Sequence, residues 1–127
     1  MRRRRILVVD DEVGITRPIS AYLTTHGDCD VRVENDATRA LAAAQEFRPD
    51  LIFLDIVMPG LDGGTLAAEI QGDPGLSGTP LVFLTALVLL QETGGVPKEI
   101  GGHPFLAKPL HLETVLALVD AHARTRD

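Results

Sequence analysis

Three of the chain's apolar runs read as strands: Ile6-Leu7-Val8-Val9, Leu51-Ile52-Phe53-Leu54 and Leu81-Val82-Phe83-Leu84. Runs this short, with no polar alternation and turn residues nearby, suit strands covered on both faces. Each leads into polar chemistry: Asp10-Asp11-Glu12, Asp55 and Thr85. Two weaker segments complete the strand set. Asp30 to Glu34 alternates, with Val31 and Val33 apolar between charges, as a half-exposed edge strand does. Phe105-Leu106-Ala107 delivers Lys108-Pro109, and Pro104 at its start suggests the other edge.

Helical periodicity fills the gaps. Ile15, Ile19 and Leu23 share one face of a first helix, which Asp10 or Asp11 could cap and Gly27 could stop. Pro18 removes a donor there and predicts a kink or a late start. Asn35 or Asp36 opens a second helix whose buried stripe is Ala37, Ala40, Leu41, Ala44 and Phe47; Pro49 ends it. A third starts near Asp62 with Leu66 and Ile70 inward, before a turn-rich connector from Gly72 to Pro80. The last carries Leu112, Val115, Leu116 and Val119. Strands alternating with helices define an α/β fold, a doubly wound five-stranded parallel sheet with helices on both faces. With the apolar strands central and the weaker ones outermost, the expected order is flavodoxin-like, 2-1-3-4-5.

Composition narrows the function classes. The 127 residues fit a single domain, 1–127, that is 45% hydrophobic with net charge -6, so direct nucleic-acid binding is not favoured. The Arg2 to Arg5 run reads as a solvated terminal charge run, and the apolar stretch after it is too short for a signal peptide. No stretch is long enough to span a membrane. The single Cys29 cannot form an internal disulfide, which points to a reducing, cytoplasmic setting. His26, His103, His111 and His122 show no ligand spacing and read as surface or capping residues.

The strand ends supply the candidate chemistry. In a parallel sheet the carboxyl ends share one edge, where ligands bind. Asp10, Asp11, Asp55, Thr85 and Lys108 therefore converge from distant parts of the sequence. Singly, each has a plain reading as a cap, a turn residue or a surface lysine; together they form complementary chemistry. Clustered carboxylates require a cation, and an all-oxygen set suits Mg2+. Asp55 is then placed to attack phosphorus and form an aspartyl phosphate. Lys108 and the Thr85 hydroxyl would hold the phosphoryl oxygens, because such transfer is mostly positioning and electrostatics.

These pieces, in the order Ile6 to Glu12, Leu54-Asp55-Ile56-Val57-Met58-Pro59-Gly60-Leu61-Asp62-Gly63, Leu84-Thr85-Ala86 and Phe105 to Pro109, resemble the receiver domain of two-component response regulators. The resemblance covers essentially the whole chain. It implies that Asp10 and Asp11 form the acidic pocket, with Asp11 a direct Mg2+ ligand and the Val57 carbonyl another. It implies Asp55 as phosphoacceptor, Thr85 as switch hydroxyl, Lys108 as phosphate partner and Phe105 at the switch-aromatic position. The donor would be a sensor histidine kinase or histidine phosphotransfer protein, and the output a downstream protein target. Such a domain is not an enzyme beyond its own Mg2+-dependent phosphorylation and dephosphorylation. With the chain ending at the last helix, it would be a stand-alone receiver or a piece of a larger hybrid kinase or regulator.

Several finer expectations follow. The Lys108-Pro109 bond should be cis, aiming Lys108 toward Asp55. Val57 and Leu87 would flank the path of attacking water without orienting it, giving a long-lived phosphate. The segment from Leu87 to Gly102 departs from the family: Leu87-Val88-Leu89-Leu90 is apolar where polar residues are frequent, and Gly94-Gly95, Pro97 and Gly101-Gly102 interrupt the expected fourth helix. That helix should be short and mobile, with an apolar patch for a partner, and a homodimer could form through the fourth-helix and fifth-strand region. His111 stands where an Asp or Ser cap is common. The alternatives are a receiver that binds partners without phosphorylation, a haloacid-dehalogenase-type phosphatase and an FMN carrier. Val57 replaces the second aspartate that the phosphatase needs. Asp10-Asp11-Glu12 would repel an FMN phosphate unless a metal were present.

Overall fold

The computed structural model describes residues 3–86 and 102–123. Five parallel strands form one sheet: β1 (Arg4–Val9), β2 (Cys29–Glu34), β3 (Leu51–Asp55), β6 (Leu81–Ala86) and β7 (Phe105–Lys108), ordered β2-β1-β3-β6-β7. Counting only these five, the order is the expected 2-1-3-4-5. A short antiparallel pair, β4 (Val57–Met58) and β5 (Leu61–Asp62), stands apart from the sheet. The helices are α1 (Val13–His26), α2 (Ala40–Phe47, after a 3-10 turn at Ala37–Arg39), α3 (Gly63–Gly72) and α4 (Leu112–His122).

The central strands are apolar throughout because both faces are covered. Ile6 to Val9 and Leu51 to Leu54 are all fully buried. Alternate side chains enter different cores, as the period-2 geometry of a strand requires. Leu7, Val9, Ile52, Leu54 and Phe83 pack with Ala40, Ala44, Leu66 and Ile70 of α2 and α3. Ile6, Val8, Leu51, Phe53, Val82 and Leu84 pack with Ile19, Leu23, Val115 and Val119 of α1 and α4. Each such side chain contributes roughly 1.5–3 kcal/mol of burial, so this two-sided arrangement outweighs any alternative that exposes one face.

Several boundaries differ from expectation. β1 begins at Arg4 and not at Ile6. Its arginines are tied into the fold: Arg4 pairs with Asp120 of α4 at 2.6 Å and donates to the Gly27 carbonyl at 2.7 Å. The backbone of Arg5 exchanges hydrogen bonds with Asp50, and Arg3 lies 3.7 Å from both Asp28 and Asp30. The run at positions 3–5 is therefore a set of staples and not a free basic tail.

α1 starts at Val13 and runs unbroken through Pro18. A late start is not needed because Pro18 is exposed and Gly14, whose carbonyl lacks its donor, has open space around it. Neither Asp10 nor Asp11 caps this helix; Glu12 occupies the N-cap position without a side-chain bond. The other expectations hold: Gly27 follows α1, Asp36 caps the 3-10 turn, and Asp62 caps α3 through the Gly64 amide. The turn between β4 and β5 is Pro59-Gly60, with Gly60 at φ 86°, where a side chain would be strained.

The expected irregular helix and apolar patch fall on residues 87–101, outside the described residues, as does Leu87. Among the described residues no helix is long and apolar enough to cross a membrane. Of the histidines, His103 is half-buried: it bonds Gln71 at 2.8 Å and meets the Phe83 ring edge-on at 5.6 Å.

Candidate functional site

The sheet topology sets the site. β1 and β3 are neighbours, with Val9 opposite Leu54, so the residues after them, Asp10 and Asp55, emerge side by side. β7 lies two strands from β3, in register with β6, and Lys108 reaches back across that gap. Its ammonium lies 2.8 Å from Asp10 Oδ2, 3.1 Å from Glu12 Oε1 and 3.3 Å from Asp55 Oδ2. The Lys108-Pro109 bond that follows is cis, as expected.

Burial grades the pocket. Asp10 is fully buried, Asp55 is 5% exposed, and Asp11 and Glu12 face solvent. Asp10 is held by its surroundings: its Oδ1 accepts the Glu12 amide at 3.0 Å, and its carbonyl accepts Asn35 Nδ2 at 2.7 Å. Asn35 also donates to the buried Thr16 hydroxyl at 3.1 Å, tying the end of β2 to the first turn of α1. Asp10 Oδ2 is buried and faces the Lys108 ammonium at 2.8 Å, and no other described group hydrogen-bonds it. A buried carboxylate oxygen is costly unless a cation completes it, and here the ammonium holds that place.

Asp10, Asp11, Glu12 and Asp55 can bring one oxygen each to within 4.8 Å of one another. That all-oxygen set, already arranged around one cationic group, fits a hard divalent cation such as Mg2+. Asp55 responds to the same crowding. Burial, then the neighbouring Asp10 charge, lift its carboxyl to about 6; Lys108 and the Val57 amide, which donates to Oδ1 at 3.2 Å, oppose the rise. Burial alone would lower the Lys108 value, but Asp10 above all, with Glu12 and Asp55, holds the ammonium charged well above its ordinary range.

Thr85 is buried one residue beyond Leu84, the register partner of Asp55. Among the described residues its hydroxyl bonds neither Asp55 nor Lys108, so the structure places it on the site's edge without engaging it. Val57 follows Asp55 with its side chain 60% exposed beside the pocket. Phe105 is half-buried against the α2–α3 core. Two contributors escaped the sequence reading. Glu12 stood in the acidic motif but had no role of its own. Asn35 read as a helix cap, whereas its amide serves Asp10.

A parallel α/β sheet with an acidic pocket and a lysine at its carboxyl edge defines a class of domains suited to phosphoryl chemistry. The chain belongs to the response regulator receiver domain family, whose model matches residues 6–120. It is 36% identical over 118 residues to protein PilH of Pseudomonas aeruginosa, covering 92% of this chain and 95% of that one. It is 35% identical over 125 residues to the DNA-binding response regulator MtrA of Mycobacterium tuberculosis, covering 98% of this chain but 53% of MtrA. The chain thus spans about half the length of relatives of the MtrA kind. Among solved structures it is similar to the chemotaxis response regulator CheY4 of Vibrio cholerae, with TM-score 0.81, 28% identity and coverage of 94% and 98%. It is also similar to the BeF3-activated receiver domain of Klebsiella pneumoniae RstA, with TM-score 0.74, 32% identity and coverage of 96% and 100%.

Proposed function

We propose that this receiver domain accepts a phosphoryl group on Asp55. The observation that carries the reading is the Lys108 ammonium bridging Asp10 and Asp55 at 2.8 and 3.3 Å across two strands. The half-buried ammonium offsets two buried carboxylates that would otherwise lack a counter-charge, and in the same position it would meet the oxygens of a phosphoryl group on Asp55. A phosphohistidine on a sensor kinase or phosphotransfer protein is the donor. The Asp55 oxygen forms a bond to phosphorus as the phosphorus–nitrogen bond to imidazole breaks, and the imidazole leaves with the nitrogen's electron pair and takes up a proton.

Asp10, Asp11, Asp55 and the Val57 carbonyl would hold Mg2+, which offsets charge on the incoming group. Lys108 takes the phosphoryl oxygens, and Thr85 turns its hydroxyl toward them, passing the change to Phe105 and a downstream protein. The domain's only chemistry is its own phosphorylation and the loss of that phosphate. The buried free thiol of Cys29 agrees with a reducing, cytoplasmic setting. The single domain spans 1–127 on this reading, and a homodimer could form through the expected fourth-helix and β7 region. This reading is preferred to a receiver that works without phosphorylation because Asp55, Thr85 and Lys108 all lie at the carboxyl ends of neighbouring strands.

Intact mass after incubation with acetyl phosphate tests this. Wild type should gain one phosphoryl mass in Mg2+ and none in EDTA, and Asp55→Ala should gain none in either. Labelling of Asp55→Ala equal to wild type would falsify the assignment.

A further inference from the structure

Glu12 is the one carboxylate of the pocket that the roles above leave unassigned. Its backbone is pinned: the amide donates to Asp10 Oδ1 at 3.0 Å, and the carbonyl accepts the Ile15 and Thr16 amides at 2.9 and 3.2 Å. Its side chain caps nothing in α1 and instead accepts a hydrogen bond from Lys108 Nζ at 3.1 Å. The three carboxylates around that ammonium differ sharply in exposure. The side chain of Asp10 is 0% exposed and that of Asp55 6%, while that of Glu12 is 58%. The ammonium therefore has two partners inside the pocket and one at its mouth.

The inner partners belong to two of the carboxylates that a divalent cation would use. Two cations cannot share them at these distances, because like charges a few ångströms apart in a half-dry pocket repel strongly. When the metal enters, the ammonium must let go of Asp10 and Asp55. Its backbone is fixed in β7, in register with β6, so only the side chain can move. Glu12 already touches it on the outward side.

We propose that Glu12 is a positioning residue, the berth that keeps the Lys108 ammonium at the pocket mouth once a divalent cation has displaced it from Asp10 and Asp55. From there it is poised to close on the oxygens of a phosphoryl group. The inference rests on the metal-binding and phosphoacceptor reading above and adds to it a counter-ion that is exchanged during the cycle. It differs from a metal-ligand role, in which Glu12 would contact the cation directly.

A double-mutant cycle separates the two, read by calorimetric titration with Mg2+ alone. Glu12→Gln should weaken Mg2+ binding about tenfold, as loss of a group that orients a metal site's neighbours commonly does. In a Lys108→Met background the same substitution should change affinity about twofold or less, because the ammonium it serves is gone. An equal loss in both backgrounds would make Glu12 a ligand or a plain field effect and overturn the berth. Beryllofluoride at saturating Mg2+ gives a second readout. Lys108 then leaves Glu12 for fluoride, so Glu12→Gln should bind the mimic as well as wild type or better. Weakening of the mimic by the same factor as Mg2+ would also overturn the proposal. A wild type that binds neither Mg2+ nor beryllofluoride overturns both this inference and the phosphoacceptor reading, whereas an additive cycle overturns the berth alone.

Discussion

Asp55 is held between opposed influences, and the balance can be measured. Its carboxyl is lifted from 3.8 to about 6, first by burial and then by Asp10. Between those values the folded chain keeps a proton that the unfolded chain has lost, so stability falls as pH rises through that window. In EDTA, Asp55→Asn should therefore be more stable than wild type above pH 6, by about 1–2 kcal/mol, with the gap closing below pH 4. Urea unfolding at pH 3.5 and 7.5 checks this; a gap that widens toward acid would sink it. Val57 governs a slower event. Its aliphatic side chain is exposed two residues after Asp55, and on the proposed function it would flank the path of attacking water without being able to orient it. Val57→Asn should shorten the lifetime of the phosphorylated form several-fold, followed as the decay of the added mass; an unchanged lifetime would remove Val57 from the water path. Asp10, Asp11, Asp55 and Lys108 were legible in the sequence because each ends a strand, and parallel topology forces strand ends together. Glu12 and Asn35 were not, because their contacts depend on how far and in which direction a side chain reaches from a turn. Strand periodicity carries no such information.

The start of α3 lies close against the end of β3. A Cβ on Gly63 would lie 2.5 Å from the Asp55 carbonyl oxygen and 2.6 Å from Ile56 Cα, both immovable backbone. The Gly63 amide also donates to the Ile56 carbonyl at 2.8 Å, so the helix start is clamped against the end of β3. Gly63→Ala should cost about 2–3 kcal/mol, the range of an overpacked core. It should also lower the rate of labelling at Asp55, whose own carbonyl must shift to make room. Gly64→Ala is the control, since its nearest neighbour, at 3.4 Å, is the Asp62 side chain. Equal midpoints in chemical denaturation for the two variants would contradict the clamp. The five sheet strands were readable from apolar runs because two-sided burial leaves no room for polar residues. The β4–β5 pair was not, since two residues per strand are too few for a period. The start of β1 was hidden by its arginines, whose charges suggested solvent while their stems and backbones joined the sheet. Pro18 misled in the other direction: an exposed helix face tolerates a missing donor that a buried one would not.

At the scale of the whole molecule, a metal held in the pocket would link binding to folding. Four described carboxylates converge on one edge around Lys108, in a chain of net charge -6. A cation that binds only the folded state stabilises it by mass action, by about 2.7 kcal/mol at a hundred times its dissociation constant. Thermal unfolding should therefore shift upward with added Mg2+ in wild type and revert with EDTA. The shift should shrink markedly in Asp10→Asn, and an identical shift in that variant would place the metal elsewhere. The sheet order has a consequence of a different kind. β1 comes first in the chain but lies inside the sheet, between β2 and β3, with Ile6 paired to Leu51, and β3 in turn waits for Leu81. A ribosome releases the amino-terminal end first, so early in synthesis β1 has only its neighbour β2 and one bare apolar flank. The charges of β2 guard the far side of that strand-helix-strand unit and leave the side meant for β3 open. Such long-range pairing is slow to complete and open to wrong partners while it waits. A nascent chain stalled after Phe47 would present the flank of Ile6 to Val9 to any strand that came near, and self-association would compete with waiting for the rest of the sheet.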